Sequence, residues 1–329
     1  MGGGARRVAM SNLICLGLGY SARHYLAAFG HRHERIIGTA RSREGVAASA
    51  EHTGPPIADL IFDGRVASDE LVAALEEADA LLLSIPPTES GDPMLALLAG
   101  PIARAPRLRT IVYLSTVGVY GDHGGDWVDE ETAPQPLSAR SKARLAAELA
   151  WHSVAQRGAK RLRILRLAGI YGPGRNALVQ LRRGSAKHIV KPGQVFNRIH
   201  VADLARAIDA ALHRPADGVF NVTDDEPAPP QQVLAFAAEL LGCDLPPQIP
   251  FAQAQAGMSP MALSFYGENK RVRNAKLKAG LGVKLRYPGY RQGLRALFEA
   301  GDPVAVGAAD QNSSTAAISR SMSSGRDKR

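Results

Sequence analysis

A chain of 329 residues, 45% of them hydrophobic, can bury a full core and has room for one large or two linked domains. No apolar run approaches the roughly 18 residues of a membrane helix, no apolar core of signal-peptide length follows residues 1–7, and Cys15 and Cys243 have neither metal-ligand nor disulfide spacing, so the expectation is a cytoplasmic protein with no membrane contact and no metal. The net charge of +9 is unevenly placed: from Glu148 to Asp203 there is no other acid, yet there are Arg157, Lys160, Arg161, Arg163, Arg166, Arg175, Arg182, Arg183, Lys187, Lys191 and Arg198.

That basic band reads equally as a solvated face or as a wall attracting a small anionic ligand. Nucleic acid is disfavoured, because the band has no interleaved aromatics and no recognition-helix motif accompanies it.

Residues 1–11 are expected to be a disordered extension. The segment 13–16, Leu-Ile-Cys-Leu, reads as a short buried strand, and Tyr20–Phe29 as a helix. Between them Gly17, Gly19 and Ala22 match Gly-x-Gly-x-x-Ala. A side chain at the first position would block the tight turn, and one at the second would hold a pyrophosphate off the backbone. A small third residue lets helix and strand pack closely, while the N–H groups of Tyr20, Ser21, Ala22 and Arg23 open the helix towards phosphate. A Gly-rich turn with nothing bound is the weaker alternative, since this one opens a series of strand–helix units.

A second strand is expected over residues 35–39. About 20 residues past the glycines, where an acid accepts the ribose hydroxyls of NAD, this chain has Thr39, Ala40, Arg41, Ser42 and Arg43. Cations with hydroxyl neighbours suit a 2′-phosphate, so the preferred cofactor is NADP, with NAD second. A third strand (57–62) ends at Asp63, which is placed to face the adenine. A helix (70–78), a strand (80–84) running into Pro86 and Pro87, a helix (93–100) and a fifth strand (109–114) follow. Pro86 either shapes the cofactor wall or punctuates a loop. Alternation of this kind implies a Rossmann-type α/β fold, a doubly wound parallel sheet whose ligands bind beyond the carboxyl ends of the strands.

The pieces that emerge from that edge are specific. Ser115-Thr116-Val117-Gly118-Val119-Tyr120-Gly121, the acidic-Pro loop at 129–134, and Ser141-Lys142 with Glu148 resemble the extended short-chain dehydrogenase/reductases, the NAD-dependent epimerase/dehydratase group. The segments 166–175, 198–205 and 219–222 agree with it. The resemblance implies a nucleotide-binding domain over residues 12–172 and a smaller substrate-binding region over 173–300, built from segments near 176–183, 186–190, 229–241 and 288–300. Residues 301–329, rich in Ser, Gly and Ala, are expected to be a disordered tail.

The resemblance also assigns roles. Thr116, with Ser115 beside it, takes the substrate-polarising place, and Lys142 the lysine that holds the nicotinamide ribose. The tyrosine of the family's Tyr-x-x-x-Lys is Ser138 here, which marks the chain as an atypical member. A phenol of pKa about 10 is tunable by nearby cations, whereas a serine needs a separate base. Ser138 therefore reads as a helix cap ahead of a catalytic serine. Tyr120 and Tyr171 are the phenols available to replace the missing one, His200 is an acid–base candidate that more commonly would be structural, and Tyr171, Arg175, Arg182 and Arg198 are candidates to hold substrate. The reading is an NAD(P)-dependent oxidoreductase or epimerase acting on a carbonyl or alcohol carbon of a small anionic substrate, nucleotide-sugar-like by analogy, with a homodimer as the compatible assembly. The alternative is a non-catalytic NADP(H)-dependent binding or regulatory protein with the same fold.

Overall fold

The computed structural model describes residues 11–42, 54–88 and 90–301. Arg43, residues 1–10 of the expected extension and 302–329 of the expected tail lie outside them; Ser11 already belongs to the first strand. Seven parallel strands form the central sheet: β1 (Ser11–Leu16), β2 (His33–Ala40), β3 (Ile57–Ile61), β4 (Ala80–Leu83), β5 (Thr110–Thr116) and, after the two-residue β6 (Trp127–Val128), β7 (Arg161–Leu167) and β11 (Gly218–Val222). Their order, β11-β7-β5-β4-β1-β2-β3, reverses direction between β1 and β4, which makes the gap beyond those two strands the topological switch point.

Period-two alternation explains why both faces are covered. Leu13 and Cys15 of β1, Ala80 and Leu82 of β4, and Val112 and Leu114 of β5 enter one core, with the first helix (Tyr20–Phe29) and the helix Val201–His213. Ile14 and Leu16, Leu81 and Leu83, and Ile111 and Tyr113 enter the other, beneath the helices Asp69–Glu77, Pro93–Arg104 and Ala139–Arg157. Strands buried on both faces are apolar through their centres, as residues 13–16, 80–83 and 111–114 are.

Two elements outrun their expected ends. The fourth-strand crossover helix continues past Gly100 and through Pro101 to Arg104, because Leu98 and Ile102 are both fully buried and that burial offsets the backbone hydrogen bond a proline removes. Strand β5 runs on to Thr116, pairing Ser115 with Arg166 and Thr116 with Leu167 of β7. The motif hydroxyls therefore sit on a rigid strand end rather than on a loop.

Beyond β7 the chain builds small two-stranded pieces: β8 (Gly169–Tyr171) with β10 (Arg198–His200), β9 (His188–Val190) with β12 (Gln248–Pro250), and β13 (Arg271–Val272) with β6. A satellite core of Tyr171, Leu178, Val233, Ala237, Tyr290 and Leu294 joins this region. Gly293 is essential to it, since a Cβ there would lie 2.1 Å from the Tyr171 hydroxyl.

Candidate active site

A cleft of about 910 Å³ opens at the carboxyl ends of β1, β4, β5 and β7, walled on its far side by the region after residue 168. Gly19, Tyr20, Ser21, Ser84, Pro86 and Ser115 line its sheet end. Gly17 has φ +101°, and a Cβ there would lie 2.7 Å from Ser84 Oγ and 2.9 Å from the Ile85 side chain, so only glycine makes this turn. At Gly19 a Cβ would meet nothing within 4 Å. The backbone there borders open space, no side chain among the described residues caps the helix it begins, and Ala22 is fully buried against the sheet. These three features are what a dinucleotide pyrophosphate requires.

Thr39 is buried and accepts a hydrogen bond on Oγ1 from Gly17 N–H (2.9 Å), while its carbonyl accepts from Leu18 N–H (2.8 Å). It braces the glycine turn instead of facing a ribose. Arg41 and Ser42 follow β2 and are exposed. Asp63 is exposed beyond β3, its carboxylate accepting from Arg65 N–H (2.9 Å). Arg23, half-buried, and Arg41, Ser42 and Asp63 all lie outside the cleft lining.

At the reacting end the three hydroxyls divide by hydrogen bonding. Ser115, buried, donates to the Glu148 carboxylate. Ser138 caps the helix Ala139–Arg157, accepting from Ser141 N–H (3.1 Å) and donating to Ser141 Oγ (2.9 Å). Thr116 Oγ1 accepts from Gly118 N–H (3.1 Å), so its own hydrogen is available to the cleft it lines. A Cβ at Gly118 would lie 2.8 Å from Ser141 Oγ, so the small residue lets the strand end approach the helix Ala139–Arg157 closely.

Lys142 does not face the cleft. On this helix Ser138, Arg140, Ser141 and Arg144 line it, and the buried stripe continues through Ala147, Glu148, Trp151 and Val154. At about 100° per residue Lys142 stands nearly opposite that stripe, and it is exposed. Lys142 does not share a face with Ser138, because an N-cap residue is not yet helical (φ −77°, ψ 150°) and i, i+4 geometry does not begin there. The i, i+4 pair that does face the cleft is Arg140 with Arg144. Arg144 donates to the Leu114 carbonyl (2.8 Å) and the Tyr113 hydroxyl (3.1 Å). The signal available in sequence was the Ala147–Trp151–Val154 spacing, which sets the helix's inner face.

Tyr120 is likewise not at the cleft. It is fully buried, its hydroxyl donates to Asn221 Oδ1 (2.7 Å), its ring lies 4.8 Å under the Arg166 guanidinium, and burial pushes its pKa up. Tyr171 lines the cleft, but burial, then the charges of Asp224 and Asp203, drive its phenol far above the ordinary range. His200 caps the helix Val201–His213 through Nδ1 (3.1 Å from Ala202 N), and burial lowers it to about 4. It is structural.

The basic band is not one wall. Arg163 is buried and paired with Asp217 (3.3 Å), and Arg166 with Glu148 (2.8 Å). Arg182 is exposed outside the lining. From the band only Arg175, Lys187 and Arg198 reach the cleft; Arg140, Arg144 and Lys270 join them from elsewhere, against one acid among the described residues, Glu268. Arg198 donates through Nη1 to the carbonyls of Phe196 and Ala228 (2.9 Å each).

The chain matches the model of the NAD dependent epimerase/dehydratase family over residues 95–223. A conserved protein of unknown function from Silicibacter pomeroyi DSS is 45% identical in a structural match covering 89% of this chain and all of that one (TM-score 0.79). A 3-diazoavenalumate denitrifying reductase from Streptomyces sp is 32% identical over 208 residues, 58% of this chain and 66% of that protein, just under two thirds of its length. The fold is also that of MoeE5 in complex with UDP-glucuronic acid and NAD, at 20% identity over 88% of this chain and 98% of that one (TM-score 0.69). With the glycine turn, the strand order and the Ser115–Thr116 strand end in place, the chain belongs to the NAD-dependent epimerase/dehydratase family of extended short-chain dehydrogenase/reductases.

Proposed function

We propose that this protein is an NADP(H)-dependent oxidoreductase or epimerase acting at a carbonyl or alcohol carbon of a small anionic substrate. The observation that carries the reading is that Gly19 of the glycine turn and Thr116 line one cleft, whose lining among the described residues has six cations and one acid. Gly17, Gly19, Tyr20, Ser21 and Ala22 would hold the pyrophosphate, Pro86 would lie along the nicotinamide arm, and Arg41 and Ser42 would meet the 2′-phosphate. The nicotinamide, when bound, supplies or accepts the hydride. Thr116, whose lone pair is already held by Gly118 N–H, donates to the substrate oxygen. Tyr171, Arg175 and Arg198 would border the substrate.

The test is cofactor titration followed by fluorescence. NADPH binds more tightly than NADH, and Arg41→Ala weakens NADPH about tenfold to a hundredfold, the value of one charge-assisted hydrogen bond, with NADH nearly unchanged. Equal affinities, or equal losses, defeat the 2′-phosphate assignment. A second reading, a non-catalytic NADP(H)-dependent binding protein, is favoured by one observation: the Ser138 hydroxyl is committed to its helix cap. Cofactor binding with no turnover across a panel of carbonyl acids and nucleotide sugars selects it.

A further inference from the structure

The cations bordering the cleft and packed beneath it fall into two kinds. Arg163, Arg166 and Lys270 are buried and each has a carboxylate within 3.3 Å: Asp217, Glu148 and Glu268. Arg140, exposed at the cleft mouth, and Arg144, half-buried, line the cleft wall one turn apart, and among the described residues neither has a carboxylate within ion-pair distance. Two like charges at i, i+4 repel, and here the repulsion is felt: burial first, then the Arg144 charge, pulls the Arg140 guanidinium below its ordinary range. Glu268, whose charge favours the Arg140 guanidinium, is already held by Lys270 at 2.7 Å.

The position of the pair matters as much as its charge. Arg144 grips the carbonyl of Leu114, the residue before Ser115 and Thr116, so its guanidinium is anchored beside the strand end that polarises the substrate. Arg140, with no hydrogen bond of its own among those described, reaches over the Phe265 ring (5.9 Å) on the opposite wall. One fixed and one adjustable guanidinium thus flank the reacting end of the cleft. A nucleotide sugar carries its diphosphate away from the reacting carbon. A guanidinium pair at the reacting end matches instead a planar anion held there by two-point hydrogen bonding.

We propose that Arg140 and Arg144 form a clamp for a carboxylate carried within a few atoms of the carbon that exchanges hydride, so that the substrate is a carboxylic acid recognised at its reacting end. The proposal rests on the cleft being the substrate site, as argued above. Arg140 and Arg144 bind and orient the acid, and Thr116 donates to its neighbouring oxygen.

The experiment titrates the full chain, with and without saturating NADP, using benzoate and pyruvate as carboxylates, benzamide as the neutral isostere and inorganic phosphate as a competing anion. NADPH affinity and thermal stability are recorded for every variant. Saturable carboxylate binding is expected, absent for benzamide, about tenfold or more weaker in Arg140→Ala and partly restored in Arg140→Lys. Lys142→Ala removes the same charge from the outer face of the same turn and is expected to leave carboxylate binding unchanged. Equal losses in the Arg140 and Lys142 variants would reduce the effect to net charge and overturn the clamp. So would carboxylates binding no better than benzamide, or phosphate binding while carboxylates do not. Failure to bind NADPH defeats the enzyme reading separately, because the carboxylate titration without cofactor still reports on the clamp.

Discussion

The floor of the cleft and its side wall handle positive charge in opposite ways. Beneath the floor, Arg166 of β7 is buried against Glu148, which also accepts from Ser115, while Tyr120 lies under the guanidinium and passes a hydrogen bond to Asn221. Burial disfavours the Arg166 charge, yet the Glu148 carboxylate and the Tyr120 phenol together more than offset it and its pKa ends above the ordinary value. On the wall, Arg140 and Arg144 have no such partner, and the Arg140 pKa is displaced downward. A cation matched inside the protein belongs to the frame. One left unmatched beside a cavity is matched by what enters the cavity.

The floor is the more sensitive place to break. Glu148→Leu strands the Arg166 guanidinium, buried to 5% exposure, and removes the acceptor of Ser115. The expected loss is about 3–5 kcal/mol of unfolding free energy, read by urea or thermal denaturation. Adding Arg166→Met to that variant removes the stranded charge as well and should recover most of the loss. If the single and double variants are equally unstable, the pair is not what holds the floor.

Acidification makes the same kind of error elsewhere in the frame, by creating a charge with no partner. His33 is fully buried, its ring nitrogens engaged with Ser11 Oγ (3.0 Å) and Tyr25 Oη (2.7 Å), and burial followed by the neighbouring His213 lowers it to about 4. His200 is lowered to about 4 as well. A histidine near 6.5 when unfolded and near 4 when folded binds more protons unfolded between those values. Its contribution to stability is therefore full above pH 6.5 and is lost as pH falls towards 4, roughly 3 kcal/mol for each. Asp203 and Asp224 are raised by burial and act in the opposite direction. The informative quantity is a difference: His33→Asn should lose less stability than the unaltered chain between pH 7 and pH 4.5. An equal loss would remove His33 from the account.

What was legible in the sequence follows the range of the forces involved. The glycine turn and the helix Tyr20–Phe29 were readable because turn sterics and 3.6-residue periodicity act over a few residues. The sheet was readable because burial on both faces requires unbroken apolar strands. The Glu148–Arg166 pair was not, since it joins a helix to a strand 18 residues on, and nothing local distinguishes Arg166 from the ten other cations of its band. Thr39 falls in the segment where an acid would meet the ribose of NAD, but its hydroxyl turns inward to Gly17 N–H, a contact that spacing alone does not reveal. The wall was misread for a different reason. The family spacing was anchored on Ser138, a cap rather than a helical residue, and this directed attention to Lys142 while the inner stripe pointed to Arg140 and Arg144.

The smallest expected effect is the one that most sharply separates wall from floor. If Arg140 were structural, like Arg166, truncating it would cost kilocalories. If it is held for a ligand, the ligand-free protein has little to lose. Arg140→Ala gives up its contact with the Phe265 ring, worth about 0.5–1 kcal/mol at an exposed site, and relieves repulsion with Arg144 of about 0.2–0.5 kcal/mol. These terms nearly cancel, so stability should change by about 0.5 kcal/mol or less. Salt provides the check. Between 0.05 and 0.5 M, chosen to carry the screening length from above about 10 Å to well below it, the repulsion fades in the unaltered chain and the variant has none to lose. The unaltered chain should therefore gain slightly more stability from salt than Arg140→Ala does. A loss above about 2 kcal/mol in the variant, or the reverse salt trend, would place Arg140 in the frame and leave the wall without its distinction.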